Sequence, residues 1–230
     1  VLMMSKLLQK LDTETSLKDM IQVLSNDGVF IIEDYLDQNT LKELHDDVLN
    51  KCKNEAGHYE FGRNYRGPSL SAFHPNSPIY RVYDKPWMRN LHRQYVGGSS
   101  LGYGKNVFAT YDYKYDGQLA RNGWLHFDRN WCFKFFLYLT DINRKSGAFS
   151  CSIGSRSKGK ELRNASGGKI DYELVRNRID LDYPELSSVF PSIPVEANAG
   201  TLIVFDTDTF HKGGKCDEGE ERLVVRLHCG

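Results

Sequence analysis

The chain has 230 residues, with 30 Lys and Arg balanced by 30 Asp and Glu, 40% hydrophobic residues and 12% aromatic ones. Zero formal net charge without a long basic block argues against a nucleic-acid partner, and no apolar run reaches membrane-spanning length. The cysteines (Cys52, Cys132, Cys151, Cys216 and Cys229) are odd in number and lack paired spacing, and the charge-broken N-terminus lacks a signal-peptide core, so the expected setting is a reducing, cytoplasmic one with free thiols.

In chain order, Leu17, Met20, Ile21 and Leu24 recur at helical spacing, and Asn26-Asp27-Gly28 stops that helix. Val29–Ile32 reads as a short buried strand. Asp37 is positioned to cap a second helix whose apolar face is Leu41, Leu44, Val48 and Leu49. Residues 1–53 are therefore expected to be mostly helical. Residues 54–104, dense in Gly, Pro, Tyr and Arg, read as long loops with one short helix near Pro86–Val96, ended by Gly97-Gly98. A loop region of that length is expected to be functional, such as a lid.

From Lys105 onward the pattern is β. Val107–Tyr115 alternates, Trp131–Leu139 is a near-continuous apolar run, and Ile193–Ala197, Thr201–Phe205 and Arg222–Leu227 follow. A polar loop with a short helix is expected over residues 143–190. Short strands without regular βα alternation predict a mainly β fold with flanking helices, a sandwich or barrel. The expected organisation is one domain over residues 1–230, with 105–230 as its barrel core.

Within this β region, Gly123-Trp-Leu-His126-Phe-Asp128-Arg-Asn-Trp131 sets two polar residues among bulky apolar ones. On a strand His126 and Asp128 share a face, with Phe127 on the other. Alone, such a tripeptide is weak evidence, since strand ends often carry solvated His and Asp. A second stretch, Gly200–Phe205 followed by Asp206-Thr-Asp-Thr-Phe-His211, adds a histidine, and Arg222 follows at the head of the last strand. Two His and one carboxylate form the facial triad of non-haem Fe(II) sites. Such a triad leaves adjacent positions for a 2-oxo acid and O2, and a guanidinium suits the far carboxylate of that acid.

The order His126-x-Asp128, His211, Arg222 resembles the phytanoyl-CoA dioxygenase-like branch of the Fe(II)/2-oxoglutarate-dependent oxygenases. Gly28–Leu36, Leu137–Asp141 with Ser146–Phe149 and Gly154-Ser155, and Gly200–Phe205 are similar to further stretches of that family. The likeness runs from about Gly28 to the C-terminus. Many members have Gly-Ser-His where this chain has Gly154-Ser155-Arg156. The resemblance implies a double-stranded β-helix, a jelly-roll or cupin-like barrel. It implies Fe(II), 2-oxoglutarate and O2 as cofactor and co-substrates, with succinate and CO2 released as a C–H bond of a small-molecule substrate is hydroxylated. His126, Asp128 and His211 would be the metal ligands and Arg222 the 2-oxoglutarate anchor, with no catalytic residue beyond the metal site. Halogenating relatives have a small residue in place of the carboxylate, so Asp128 points to hydroxylation. Desaturation, epoxidation and ring closure stay open.

Other assignments are less constrained. Arg226 shares a strand face with Arg222 and rivals it. Tyr111, Tyr113 and Lys134 are candidates for a second co-substrate contact. Trp124 and Trp131 form either a substrate wall or core. Arg63, Tyr65, Arg66 and Arg81 fall in the expected lid, where arginines suit an acidic substrate, or are solvated charges. His45, His58, His74, His92 and His228 read as structural or exposed, His228 at an edge or surface. The alternatives in function are a non-oxidative metal-dependent cupin-like isomerase or hydrolase, and a non-catalytic ligand-binding barrel.

Overall fold

Alternation of side chains along the strands sorts the computed structural model, which describes residues 7–55, 57–59, 62–98, 101–113, 123–165 and 176–230, into two sheets. In the first part, β1 (Gln9–Lys10), α1 (Leu17–Asn26), β2 (Val29–Ile32), α2 (Gln38–Asn54), β3 (Gly57–Tyr59) and β4 (Gly62–Arg66) precede α3 (Pro78–Tyr83) and α4 (Pro86–Tyr95). Then come β5 (Asn106–Asp112), β6 (Phe133–Tyr138), β7 (Ser150–Cys151), α5 (Arg156–Ala165), α6 (Ile179–Asp182) and α7 (Pro184–Val189). The chain finishes with β8 (Ile193–Pro194), β9 (Leu202–Asp206), β10 (His211–Lys212) and β11 (Arg222–Cys229). The large sheet has the order β1-β2-β9-β6-β11-β5-β4-β3 and the small one β10-β7-β8. The named pairs are antiparallel except β1–β2. The fold is mainly β with flanking helices; among the described residues the large sheet does not close on itself.

The expected cap of α2 holds: Asp37 accepts from Asn39 and Thr40. At the start of α1 Ser16 likewise accepts from the Asp19 N–H, each cap contributing about 1 kcal/mol. Leu41, Leu44 and Val48 of α2 are buried, joined by Cys52.

The large sheet is buried on both faces, which explains the near-continuous apolar run of β6. On the outer face, Phe133, Phe135 and Leu137 of β6, Leu202 and Val204 of β9, and Leu223, Val225 and Leu227 of β11 pack with apolar residues of α1–α4. On the inner face, Phe136, Tyr138, Ile203, Phe205 and Val224 meet Phe149, Cys151 and Val195 from the side of the small sheet. The inner face of β11 departs from this pattern. Its alternate positions are Arg222, Val224, Arg226 and His228, and Lys134 of β6 is their neighbour opposite His228.

Three expectations need correction. Residues 54–104 are not mainly loops: they hold β3, β4, a 3-10 turn at Leu70–Ala72, α3 and α4. Tyr65, Leu70, Ile79, Val82, Tyr83, Met88 and Leu91 from this stretch enter the outer-face core, so its Gly and Pro punctuate short packed elements. Residues 143–190 carry α5, α6 and α7 among the described residues, not one short helix. His228 is neither at an edge nor on the surface, because β11 lies between β5 and β6. The end of the expected Val107–Tyr115 strand lies outside the described residues; β5 itself runs to Asp112.

His228 stacks on Phe108 with ring centroids 4.5 Å apart. Burial, then the Lys134 and Arg226 cations, push its imidazole down to about 2. An unfolded histidine titrates near 6.5, so below that pH the unfolded chain takes a proton that the folded chain refuses. This contribution is fully present above pH 6.5 and is lost as pH falls towards 2. His228→Gln is therefore expected to flatten the fall in urea midpoint between pH 6.5 and about 4; an unchanged slope would remove His228 from the acid response.

Candidate metal centre

His126 and His211 are brought together by backbone. His126 N–H donates to the His211 carbonyl at 2.9 Å, and His211 N–H donates to the His126 carbonyl at 2.7 Å. This is a hydrogen-bonded antiparallel pair, so both side chains leave on the same face. Alternation around it does the sorting: Leu125 and Phe127 are buried with Ile179 and Phe210, while His126 and Asp128 turn the other way. The Asp128 N–H is fixed in turn by the Thr207 carbonyl at 3.0 Å.

The donor atoms converge. One ligand atom from each of His126, Asp128 and His211 lies within 4.8 Å of the others. Asp128 Oδ1 is 3.7 Å from His126 Nε2 and 3.4 Å from His211 Nε2. Adjacent ligands of an octahedral ion at about 2.1 Å would lie about 3 Å apart, and the two carboxylate–imidazole distances exceed this by less than about 1 Å. His126 Nδ1 is 2.6 Å from the Trp124 carbonyl, and His211 Nδ1 is 2.7 Å from the Thr209 carbonyl. A carbonyl only accepts, so each Nδ1 carries the proton and each neutral ring presents an Nε2 lone pair. Burial, and then the neighbouring His211, push the His126 imidazole down to about 4, which keeps it neutral at neutral pH. Burial works to raise the Asp128 carboxyl, but the Lys134 ammonium beside it holds it well below the usual range. Lys134 Nζ binds Asp128 Oδ2 at 2.6 Å, which leaves Oδ1 turned to the imidazoles. Two neutral imidazoles and an ionised carboxylate on one face suit a divalent transition metal.

This centre opens onto a cavity of about 180 Å³. Thr110, Lys134, Arg222 and Arg226 supply its polar wall, and Phe136, Phe149, Phe205 and Val224 its apolar one. Arg222 is buried, with Nε and Nη2 donating to Asp112 Oδ2 at 2.8 and 2.6 Å and Nη1 donating to the Gly147 carbonyl. Arg226 Nη2 donates to Thr110 Oγ1 at 2.9 Å.

Several other candidates lie elsewhere. Tyr111 is on the opposite face of β5 from Thr110 and donates to Glu221 at 2.7 Å; Tyr113 is partly exposed and stacks on it. Trp131 does not line the cavity: its Nε1 donates to Asp206 at 2.8 Å. Trp124 contributes its carbonyl, to His126. Arg63 of β4 donates to the Lys53 carbonyl at 2.7 Å, and Arg81 of α3 pairs with Glu43 of α2. Tyr65 is core and Arg66 is exposed on β4. Among the described residues, none that lines the cavity comes from 54–104.

Sequence reasoning missed what holds the His211 loop. Asp206, fully buried, accepts from Tyr95 Oη at 2.7 Å, Trp131 Nε1 at 2.8 Å, Arg156 Nε at 2.7 Å and the Asp208 N–H at 2.8 Å. Asp208 receives Arg163 through two bonds of 2.6 and 2.9 Å. A signal existed: Arg156 and Arg163 are two helical turns apart and so share a face, and Asp-Thr-Asp precedes the histidine. Helix α5 approaches this loop closely at Gly159, where an added Cβ would sit 1.8 Å from the Asp208 carbonyl oxygen.

Two outcomes are expected. Asp206→Asn removes the buried charge that faces half-buried Arg156 and should lower stability by about 3 kcal/mol, with divalent-metal affinity reduced roughly 10- to 100-fold through the misplaced His211; denaturation and metal titration read the two separately. Gly159→Ala should cost about 1–3 kcal/mol by overpacking, seen as a lower urea midpoint, and an unaltered midpoint would show that α5 can retreat from the loop.

Comparison with known proteins finds likenesses in a sequence segment and in the fold. Residues 114–219 match the family model for phytanoyl-CoA dioxygenase. No curated protein matches the chain. Among solved structures, the epimerase SnoN from nogalamycin biosynthesis, in complex with Fe3+, alpha ketoglutarate and nogalamycin RO, is 14% identical with a TM-score of 0.66, covering 92% of this chain and 82% of that one. The alpha ketoglutarate dependent carbocyclase SnoK is 14% identical with a TM-score of 0.64, covering 95% and 85%. AviO1 from Streptomyces viridochromogenes Tue57 is 15% identical with a TM-score of 0.57, covering 94% and 95%. These likenesses show a shared fold. The resemblance carried by His126, Asp128 and His211 is thus the phytanoyl-CoA dioxygenase one, with all three inside the matched segment and Arg222 just beyond it.

Proposed function

We propose that the chain is an Fe(II)- and 2-oxoglutarate-dependent oxygenase of the phytanoyl-CoA dioxygenase type, acting on a small molecule. The observation that carries this reading is the convergence of two Nε2 atoms and one carboxylate oxygen on a cavity whose wall also holds Arg222. The donor set fits Fe(II): it is neutral-imidazole and monocarboxylate, with the second carboxylate oxygen occupied by Lys134. The two sheets correspond in this reading to the halves of a double-stranded β-helix within one domain over residues 1–230.

When bound, the iron and 2-oxoglutarate supply the oxidising chemistry, with O2 consumed and succinate and CO2 released. The chain's own residues bind and orient. His126, Asp128 and His211 hold the metal. Arg222, itself positioned by Asp112 and Gly147, meets the far carboxylate of 2-oxoglutarate. Phe136, Phe149 and Phe205 exclude water from the reacting centre. The carboxylate of Asp128 fills the position a halide would need, so C–H hydroxylation is the proposed outcome. The epimerase and carbocyclase with the same fold make ring closure or epimerisation the second reading, decided by substrate placement. No described helix is long and apolar enough to cross a membrane. The free cysteines fit a cytoplasmic setting.

The test is anaerobic. Fe(II), then 2-oxoglutarate, added to metal-free protein should produce a visible metal-to-ligand charge-transfer band. His211→Ala should abolish it, and Arg222→Ala should weaken 2-oxoglutarate binding about 10- to 100-fold, as expected for losing a charged hydrogen-bond partner. Iron bound normally without a band would remove 2-oxoglutarate and favour the non-oxidative metal enzyme.

A further inference from the structure

The inner face of β11 carries two arginines in the cavity, and they are held at different stations. Arg222 sits directly across from Asp112 in the β11–β5 register and is clamped by that carboxylate and by the Gly147 carbonyl. Arg226 reaches diagonally to Thr110, with its guanidinium over the Phe136 ring at 5.8 Å. Asp112 and Thr110 are two residues apart on β5, roughly 7 Å along the strand. The third cation, Lys134, lies at the metal end, 2.6 Å from Asp128. The cavity wall therefore presents three cations against the carboxylates of Asp128 and, behind Arg222, Asp112, and a bound divalent ion would add two further positive charges. Such a lining favours more than one anionic ligand. A 2-oxo diacid accounts for one. It needs one distal cation, and Arg222 is placed for it.

We propose that Arg226, beside Thr110, binds a carboxylate of the primary substrate, so that the substrate class is a small carboxylic acid with an apolar body. This rests on the oxygenase reading above. Guanidinium and carboxylate match in a bidentate way. The apolar body is suited by Phe136 and Val224 on the same inner face and by Phe149 opposite them, all lining the same cavity. Thr110 is buried and holds the guanidinium from the side, which lowers the entropy lost when a carboxylate docks. Arg226 is thus a specificity-determining residue, distinct from the co-substrate anchor.

The experiment uses protein loaded anaerobically with Fe(II) and saturating 2-oxoglutarate, titrated with straight-chain carboxylates and with primary amides of the same lengths. Binding is read by saturation-transfer NMR and by displacement of the charge-transfer band. Carboxylates are expected to bind at least about tenfold more tightly than the amides. Arg226→Met should bring that ratio to about one while the affinity for 2-oxoglutarate stays within about twofold, and Arg226→Lys should restore part of the preference. Thr110→Val provides a second variant that keeps the charge, and it should reduce the preference without abolishing it. If Arg226→Met instead loses the 2-oxoglutarate band as Arg222→Ala does, Arg226 belongs to the co-substrate and the proposal fails. It also fails if the band is intact and acids bind no better than amides. Absence of the band in the wild-type protein would overturn the oxygenase reading, and this inference with it.

Discussion

The reciprocal backbone hydrogen bonds between His126 and His211 are the constraint on which the rest depends. The two residues are far apart in sequence, and neither sits in a long strand. His126 forms only isolated bridges, and β10 is His211–Lys212 alone. A two-residue strand has little stability of its own, so the pairing has to be imposed from outside. The small sheet does part of this through the register of His211 with Cys151. The rest comes from the loop between β9 and β10, whose Thr207 carbonyl fixes Asp128 and whose Thr209 carbonyl sets the tautomer of His211.

That loop is unusual in burying two carboxylates, Asp206 and Asp208, to near-zero exposure. Isolated buried charges are costly. Here each meets an arginine of α5, and Asp206 also meets Tyr95 of α4 and Trp131 next to β6. The arrangement ties the helix layer to the ligand loop by directional bonds, which apolar contacts cannot supply. Removing one partner leaves the other buried without it, so the network is rigid as well as costly to disturb. The glycine at 159 lets α5 come close enough for both arginines to reach.

The three residues of the candidate metal centre were legible in the sequence because they obey short-range rules: a period of two for His126 and Asp128, and a strand followed by a turn for His211. The helices α1 and α2 were legible from apolar spacing, and α2 also from Asp37 at its start; the Ser16 cap of α1 was not read. Residues 54–104 were not, because Gly and Pro mark the ends of short strands and helices as readily as they mark a lid. Arg63 and Arg81 looked like substrate ligands by charge alone, but both are spent on α2, a contact that only the tertiary fold creates. Tyr111 failed for a simpler reason: its neighbours Thr110 and Asp112 take the inner face of β5. Trp131, weighed as wall or core, is a hydrogen-bond donor to Asp206, a partner 75 residues away.

What distinguishes the inner face of β11 from the other central strands is its disagreement with burial. β6 and β9 place Phe136, Tyr138, Ile203 and Phe205 on that face, as a sheet packed on both sides should. β11 places Arg222, Arg226 and His228 there, and β6 adds Lys134 only where it faces Asp128. A stability argument gives no reason for this, since apolar residues of similar size would fill the space without the desolvation cost. Departures of this kind are expected where the interior has to receive polar ligands. The departure is also graded along the strand: Lys134 and His228 stand at the metal end, Arg226 lies between, and Arg222 stands at the far end by Asp112. The charges along this strand face therefore run from the candidate metal centre, through Arg226, to the Arg222–Asp112 pair.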